Sequence, residues 1–572
     1  MIALRLPVFS RAFRPSFVTA LGLFLAGCEG EEARMPPITS SAEAEQTEQG
    51  TRPPAELVES FDGLGFGFEG PHGPSEGQNP SDNSLAVGQN HIVQTVNSRL
   101  AIFTKKGELF DSTGVVLYGA VPTNTVFHGF GGTCEERNNG DAVVRYDQLA
   151  DRWLIVMPIF RRGEPRPDQP APWVGADSVY LSPPGVPGQP GAAAPLFQPE
   201  PFVPPVSGVR PPGGSGRPRT PGGERPPEPE GVYSMCYAVS TTSDPMGAYY
   251  RYEFLRPLFP DYPRPAVWPD GYYVPTSTGD NVVQKHACVV DRNRMLAGEP
   301  ATEQCFVLDD VNFLNNADLD GTALPPAGAP NIMMATGGTQ LDSIFSDDAV
   351  YVWRFFVDWP EPANTRLVGP DTIDVAPYTY LCNGQLTNCV PQSETDQGLD
   401  SQGDKIMARL LYRNLGRRET VVGVHSVATE EGGGGVRWYE FGVDPDRTVW
   451  LRQQGTYAPD GAYRWMASPA IDARGNIGIG YSFGGPDDFP GQRFAGRLAE
   501  DPLGVLTLRE TVLAEGGAAQ TTTLRWEDYT QTAVDPEDDC SIWYVGDYLA
   551  SGAPAYSTRI GMFRLPGCAT GP

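Results

Sequence analysis

Along most of this chain, apolar runs of about four to eight residues alternate with polar stretches rich in Gly, Pro, Asn and Asp, a rhythm that predicts β-strands joined by turns. The clearest unit is Trp465-Met466-Ala467-Ser468-Pro469-Ala470-Ile471, then Asp472-Ala473-Arg474-Gly475, then Asn476-Ile477-Gly478-Ile479-Gly480-Tyr481-Ser482. Two extended runs flank a tight turn with Gly where a positive φ is wanted, so this is a predicted hairpin. A second is predicted from 528–534 and 542–545 around Asp535-Pro536-Glu537-Asp538-Asp539. Such strand pairs recur at intervals of roughly 55 to 75 residues. Their starts fall at Ser84, Asp141, Pro265, near Asp342 (before 349–355), near Asp404 (before 420–424), at Arg464 and at Arg525.

Two segments break the rhythm. Residues 28–76 are mostly polar and acidic and are expected to form a flexible tether. Residues 162–231 are dense in Pro and Gly and are expected as a disordered insertion, with Val179-Tyr180-Leu181 able to add to a sheet edge. Repeated small antiparallel sheets, with Gly in strands whose backbones crowd an axis, predict an all-β fold of the β-propeller class spanning 77–572. Seven blades are expected, with six as the alternative, and a β-sandwich array is the competing architecture.

The first residues carry a different signal. Arg5, Arg11 and Arg14 precede an apolar run over 17–25 that is too short to span a bilayer, and Leu25-Ala26-Gly27-Cys28 follows. This reads as a lipoprotein signal peptide over 1–27, with Cys28 the lipidated N-terminus; an ordinary secretory signal is the competing reading. An anchor of two or three acyl chains holds firmly, since each buried CH₂ contributes about 0.8 kcal/mol. The expected location is a bacterial cell envelope, outer membrane favoured, with the lipid anchor as the membrane partner.

Composition supports the strand-rich reading: Gly 66 and Pro 57 are high, aromatic residues reach 10% and charged residues only 20%. A net charge of −28 opposes binding to nucleic acid. With Cys28 set aside, the eight remaining cysteines are even in number, as export predicts. Order and spacing suggest Cys134 with Cys236, Cys288 with Cys305, Cys382 with Cys389, and Cys540 with Cys568, among on the order of a hundred pairings. A zinc site finds no support in C-x₂-C or Cys/His spacing.

Several stretches, 82–93 (DNSLAVGQNHIV), 146–154 (YDQLADRWL), 236–254 (CYAVSTTSDPMGAYYRYEF), 259–273 (FPDYPRPAVWPDGYY), 455–482 and 525–544, resemble a family of exported bacterial β-propeller proteins of largely unassigned function. The resemblance implies the fold and export, and carries no catalytic residues onto this chain. The Ser-x-Asp-x-Gly-x-x-Trp box of sialidase-like propellers is not present.

Candidate chemistry is sparse. The five histidines, His72, His91, His128, His286 and His425, form no H-E-x-x-H pattern, and neither a G-x-S-x-G elbow nor a phosphate loop occurs. No metal site or cofactor is expected; a structural Ca²⁺ at Asp535, Glu537, Asp538 and Asp539 or at Asp309 and Asp310 is the weaker reading, for their spacing is not that of an EF-hand. The candidate ligand-binding set is Arg264, Trp268, Arg409, Arg464, Arg525 and Asp528, polar and aromatic residues at strand starts that a closed propeller would bring to one channel. Guanidinium groups there suit a carboxylate, and Trp rings suit a sugar face. The bland account is that the Arg residues bridge blades and the Trp rings fill gaps. The expected function is binding or scaffolding of a glycan or protein ligand, with a glycan-directed hydrolase or lyase as the enzymatic alternative.

Overall fold

The computed structural model describes residues 33–75, 79–163, 180–181, 232–256, 259–277, 284–309, 311–341, 344–384 and 387–568. The signal segment, Cys28, and all of the Pro/Gly-rich insertion except 162–163 and 180–181 lie outside the described residues.

Strands run as successive antiparallel meanders, each of four main strands. The first begins at Ser84–Val87 and passes through His91–Val96, Arg99–Thr104 and Val116–Pro122. Later runs begin at Val143–Asp147, Ala266–Trp268, Asn315–Leu319, Leu410–Asn414, Tyr463–Ile471 and Gln531–Val534. Neighbouring first strands touch in chain order, and the Gln531–Val534 strand touches the Ser84–Val87 strand. The arrangement is therefore propeller-like, with the first strands innermost. Side chains fasten its two ends: Asn83 donates to Asp547 at 2.8 Å, Gln94 to Thr558 at 2.9 Å, and buried Lys105 pairs with Asp535 at 2.6 Å. Between the meanders lie layers of apolar side chains, with Trp153, Trp268, Trp438, Trp465, Trp526 and Trp543 almost wholly buried.

Both predicted hairpins form. Tyr463–Ile471 pairs with Ile477–Gly485 around a turn in which Asp472 accepts from the N–H groups of Arg474 and Asn476 at 2.8 and 3.0 Å, and Gly475 takes φ +84°. Gln531–Val534 pairs with Ile542–Tyr548. All four expected disulfides are present: Cys134–Cys236, Cys288–Cys305, Cys382–Cys389 and Cys540–Cys568. Tyr180–Leu181 pairs antiparallel with Glu303–Asp309 at a sheet edge, as its short apolar pattern suggested.

Two expectations are corrected. The 28–76 stretch is not a free tether over its described part: Glu45–Gln46 pairs parallel with Val449–Tyr457, and Glu56–Gly65 pairs antiparallel with Ser557–Arg564, the last strand of the final meander. The folded body therefore begins well before residue 77. Register shifts at Leu57/Glu59 and Asp62/Gly65 break the alternation that would have marked this strand. The fourth start lies at Asn315, not near Asp342, because Ala349–Phe356 is the third strand of its meander. Its first strand, Asn-Asn-Ala-Asp-Leu, is polar yet buried, so no apolar run announces it.

Candidate functional site

The residues just before the innermost strands gather at one end of the ring. Asp82 precedes Ser84–Val87, Asp141 precedes Val143–Asp147, Tyr262 and Arg264 precede Ala266–Trp268, Phe313 precedes Asn315–Leu319, Lys405 precedes Leu410–Asn414, and Asp528 precedes Gln531–Val534. Distant segments meet here: the Tyr262 hydroxyl donates to the Asp528 carbonyl, and Gln402 donates to the Asp528 carboxylate at 3.1 Å. Asp82, Tyr262, Gln402 and Asp528 all take positive φ, from +46° to +68°. Backbone conformations this unfavourable for non-glycine residues persist where surrounding structure fixes them, and they cluster at functional sites.

One side of this end is basic. The Lys405 ammonium lies 4.0 Å from the Phe313 ring centroid and 4.7 Å from that of Tyr262, Lys285 lies 5.1 Å from Phe313, and the Arg264 guanidinium lies 4.6 Å from Tyr262. Arg264 is 3% exposed. It donates from Nη1 to the Leu314 carbonyl at 2.9 Å, while its Nε and Nη2 have no hydrogen-bond partner among the described residues. Burial pulls the Lys285 ammonium down to about 6, helped by the Arg264 and Lys405 charges and opposed by Asp404.

The other side is acidic. Burial raises Asp82 well above the usual carboxylate range, and the charges of Asp141 and Asp528 add to it. Asp141 is raised by burial and then by Asp261 and Asp528. Arg525 stands between carboxylates, 3.3 Å from Asp400 and paired with Asp528. Tyr529 is 2% exposed and its hydroxyl has no hydrogen-bond partner among the described residues.

Of the sequence candidates, Arg264, Arg525 and Asp528 come together here. Arg409 lies further along the inner strands, held by Asp318 at 2.9 Å and by Asp320. Arg464 is buried between Asp460 at 2.7 Å and Glu510 at 2.8 Å. Trp268 packs on Tyr412 with ring centroids 4.8 Å apart and donates to the Ala329 carbonyl at 3.2 Å. For these three, bridging and gap-filling account for the side chain. Of the acidic turn weighed for Ca²⁺, Asp535 holds Lys105, Asp539 holds Arg413, and Asp538 accepts from the N–H groups of Cys540 and Ser541 at 2.9 and 2.8 Å. The described His/Cys/Asp/Glu side chains converge at metal-binding distances at Cys288, Glu303 and Cys305, where the sulfurs are joined in a disulfide and Glu303 is paired with Arg256.

Sequence reasoning missed Tyr262, Phe313, Lys285, Lys405, Asp82 and Asp141 as site residues. Position carried a usable signal for all but Lys285 and Phe313: the others stand within a few residues before an inner strand, whereas Phe313 precedes the Asn315–Leu319 strand that no apolar run announces. Lys285 comes from the third strand of its own meander, and only the folded sheet brings it in.

No family model matches the chain, and no curated protein does. Among solved structures, the chain is similar to a protein of unknown function from Dyadobacter fermentans (10% identity, 90% of this chain, 100% of that chain, TM-score 0.32). It is also similar to the WD40 domain of SCAP from fission yeast (9%, 84%, 95%, TM-score 0.31) and to an endo-1,5-α-L-arabinanase from Thermotoga petrophila (10%, 85%, 98%, TM-score 0.24). Likenesses this distant carry no functional argument. Four disulfides accord with an oxidising compartment, and no described helix is long and apolar enough to cross a membrane.

Proposed function

We propose that this chain is a seven-bladed propeller of the bacterial envelope, lipid-anchored at Cys28 with outer-membrane delivery favoured, that binds an anionic ligand at the channel end around Arg264. The carrying observation is the buried Arg264 guanidinium whose Nε and Nη2 edge has no partner among the described residues. That edge is the face of guanidinium that grips a carboxylate through two parallel hydrogen bonds. Lys285 and Lys405 flank it around the same aromatic pair, so two further amino groups, that of Lys405 paired with Asp404 at 3.4 Å, stand beside the fork within a chain of net charge −28. A carboxylate on a sugar or other compact ring satisfies both the fork and the Tyr262 and Phe313 faces.

The test is calorimetric titration with D-glucuronate, using D-glucose as the neutral control. Arg264→Met is expected to weaken glucuronate binding by about 30- to 100-fold, the effect of losing a charge-assisted bidentate contact worth roughly 2–3 kcal/mol. Equal binding by native and variant chains contradicts the assignment. Lys285 gives a second expected result. With burial pulling its ammonium down to about 6, it is largely neutral at neutral pH, and a bound anion raises its affinity for a proton. Glucuronate affinity therefore rises as the pH falls from about 8 to about 6, with up to about one proton taken up per ligand. Titration in two buffers of different ionisation enthalpy reads this uptake directly, and it disappears in Lys285→Met.

The acidic side favours a second reading, glycan-directed hydrolysis or elimination. Asp82 and Asp141 are carboxyl groups that burial biases toward the protonated form, as a general acid requires. Release of 4-nitrophenol from 4-nitrophenyl β-D-glucuronide, lost in Asp141→Asn, supports that reading; binding of glucuronate with no turnover leaves the chain a binding module.

A further inference from the structure

The Arg264 end of the ring has a second pole that a carboxylate ligand alone leaves unanswered. The carboxyl groups of Asp82 and Asp141, which lead into the first strands of neighbouring meanders, hydrogen-bond one another, and such a contact between two like carboxylates requires a proton held between them. The Asp82 amide donates to the Glu527 carbonyl at 2.8 Å and Asp82 Oδ2 accepts from Asn97 at 2.8 Å, while Oδ1 meets no donor among the described residues. Arg525 is the cation that acts on both carboxyls, and it is already held by Asp400 and Asp528. Tyr529 links this pole to the basic one. Burial keeps its hydroxyl protonated, the Asp141 and Asp82 charges add to that, and the hydroxyl has no hydrogen-bond partner among the described residues. Its ring centroid lies 5.1 Å from that of Tyr262, over which the Arg264 guanidinium sits at 4.6 Å. A guanidinium edge without a partner and a carboxyl pair without its own cation thus flank one pair of tyrosine rings.

We propose, resting on the Arg264 site described above, that its ligand is a zwitterion, a compact amino acid whose carboxylate takes the Arg264 fork and whose ammonium meets Asp82 Oδ1 and Asp141. An ammonium carries three donors. It supplies both the donor that Asp82 Oδ1 lacks and the positive charge that lets two adjoining carboxylates ionise together. A hydroxyl supplies a donor without charge and leaves the shared proton where it is. A bare metal ion finds no third ligand: among the described residues, His, Cys, Asp and Glu side chains converge at metal-binding distances at the Cys288–Cys305 disulfide and Glu303, not here. With the two rings 5.1 Å apart, an ω-amino acid, whose charges stand several bonds apart, matches the poles better than an α-amino acid.

Calorimetric titration of the full chain compares 4-aminobutyrate and 6-aminohexanoate with butyrate and hexanoate, the same carboxylates without the amine. At least one of the amino acids is expected to bind about tenfold more tightly than its counterpart, the effect of one charge-assisted hydrogen bond. Asp82→Asn is expected to bring that ratio to about one, and binding of the plain carboxylate by the same variant shows that its site is folded; Asp141→Asn is the second variant should the first not fold. Carboxylates that bind and lose affinity in Arg264→Met, with no gain from the amine, overturn the zwitterion and leave the Arg264 site standing. A gain that persists in both Asp variants overturns the place given to the ammonium. Binding of D-glucuronate but of none of the four compounds overturns the zwitterion alone, whereas no binding by any of the five removes the Arg264 site as well.

Discussion

A chain beginning at Phe66 will unfold at a markedly lower temperature than a chain beginning at Met35. The difference is the Glu56–Gly65 strand, which supplies the outer partner of Ser557–Arg564 and so completes the meander that meets the first one. Removing it uncovers an edge strand whose N–H and C=O groups then seek other partners, in this or another chain. It also removes Leu64, fully buried, and Phe61, whose ring centroid lies 5.2 Å from that of Phe103 in the first meander. A leucine lost from such a position costs about 2–5 kcal/mol by itself. With the backbone pairing gone as well, the unfolding midpoint should fall by on the order of 10 °C, with aggregation before it. Scanning calorimetry of the two chains checks this; equal midpoints contradict the role given to the strand.

Glu303→Ala is expected to destabilise the protein by about 3–5 kcal/mol, the usual cost of stranding one member of a buried ion pair. Arg256 is fully buried, its Nη2 lies 2.5 Å from Glu303, and it also donates to Cys288 Sγ at 2.6 Å and to the Tyr237 hydroxyl at 3.2 Å. Taking away the carboxylate leaves a guanidinium charge in the apolar layer between two meanders. The double variant Arg256→Met with Glu303→Leu should recover most of the loss, because apolar groups of similar volume need no compensating charge. Urea denaturation measures both. A Glu303→Ala loss below about 1 kcal/mol would mean that water reaches Arg256 and that the layer is not sealed.

The parts of the fold that were legible in the sequence share one property: their apolar residues and turn residues are local. Ile477 and Ile479 alternate with glycine after the Asp472 turn, so the hairpin is written in consecutive positions. Asn315–Leu319 was missed because its stability comes from partners elsewhere: Asn315 donates to the Met407 carbonyl at 2.9 Å and Asp318 accepts from Val267 N–H at 2.9 Å. Glu56–Gly65 was missed because seven of its ten residues are exposed or partly exposed and two register shifts break its period. The candidate site divides in the same way. That arginines at strand starts would meet near an axis followed from the repeat. Which arginine would keep a free edge did not, since Arg409 is neutralised by Asp318 and Asp320 from the preceding meander while Arg264 meets rings and a carbonyl.

Closure of the ring is the claim on which the proposed Arg264 site depends, and a single distance tests it. Gln89 and Pro536 lie side by side, Gln89 donating to the Pro536 carbonyl at 3.4 Å, although they belong to the first and last meanders. Spin labels at Gln89 and the neighbouring exposed Glu537, in a Cys28→Ser chain, are expected to give one narrow electron–electron distance within roughly 20 Å, whereas meanders stacked in an open row would separate them by about 40 Å or more, the scale of a domain this size. The narrow short distance is the predicted result; a long or broad distribution would contradict the closed ring and remove the Arg264 site with it.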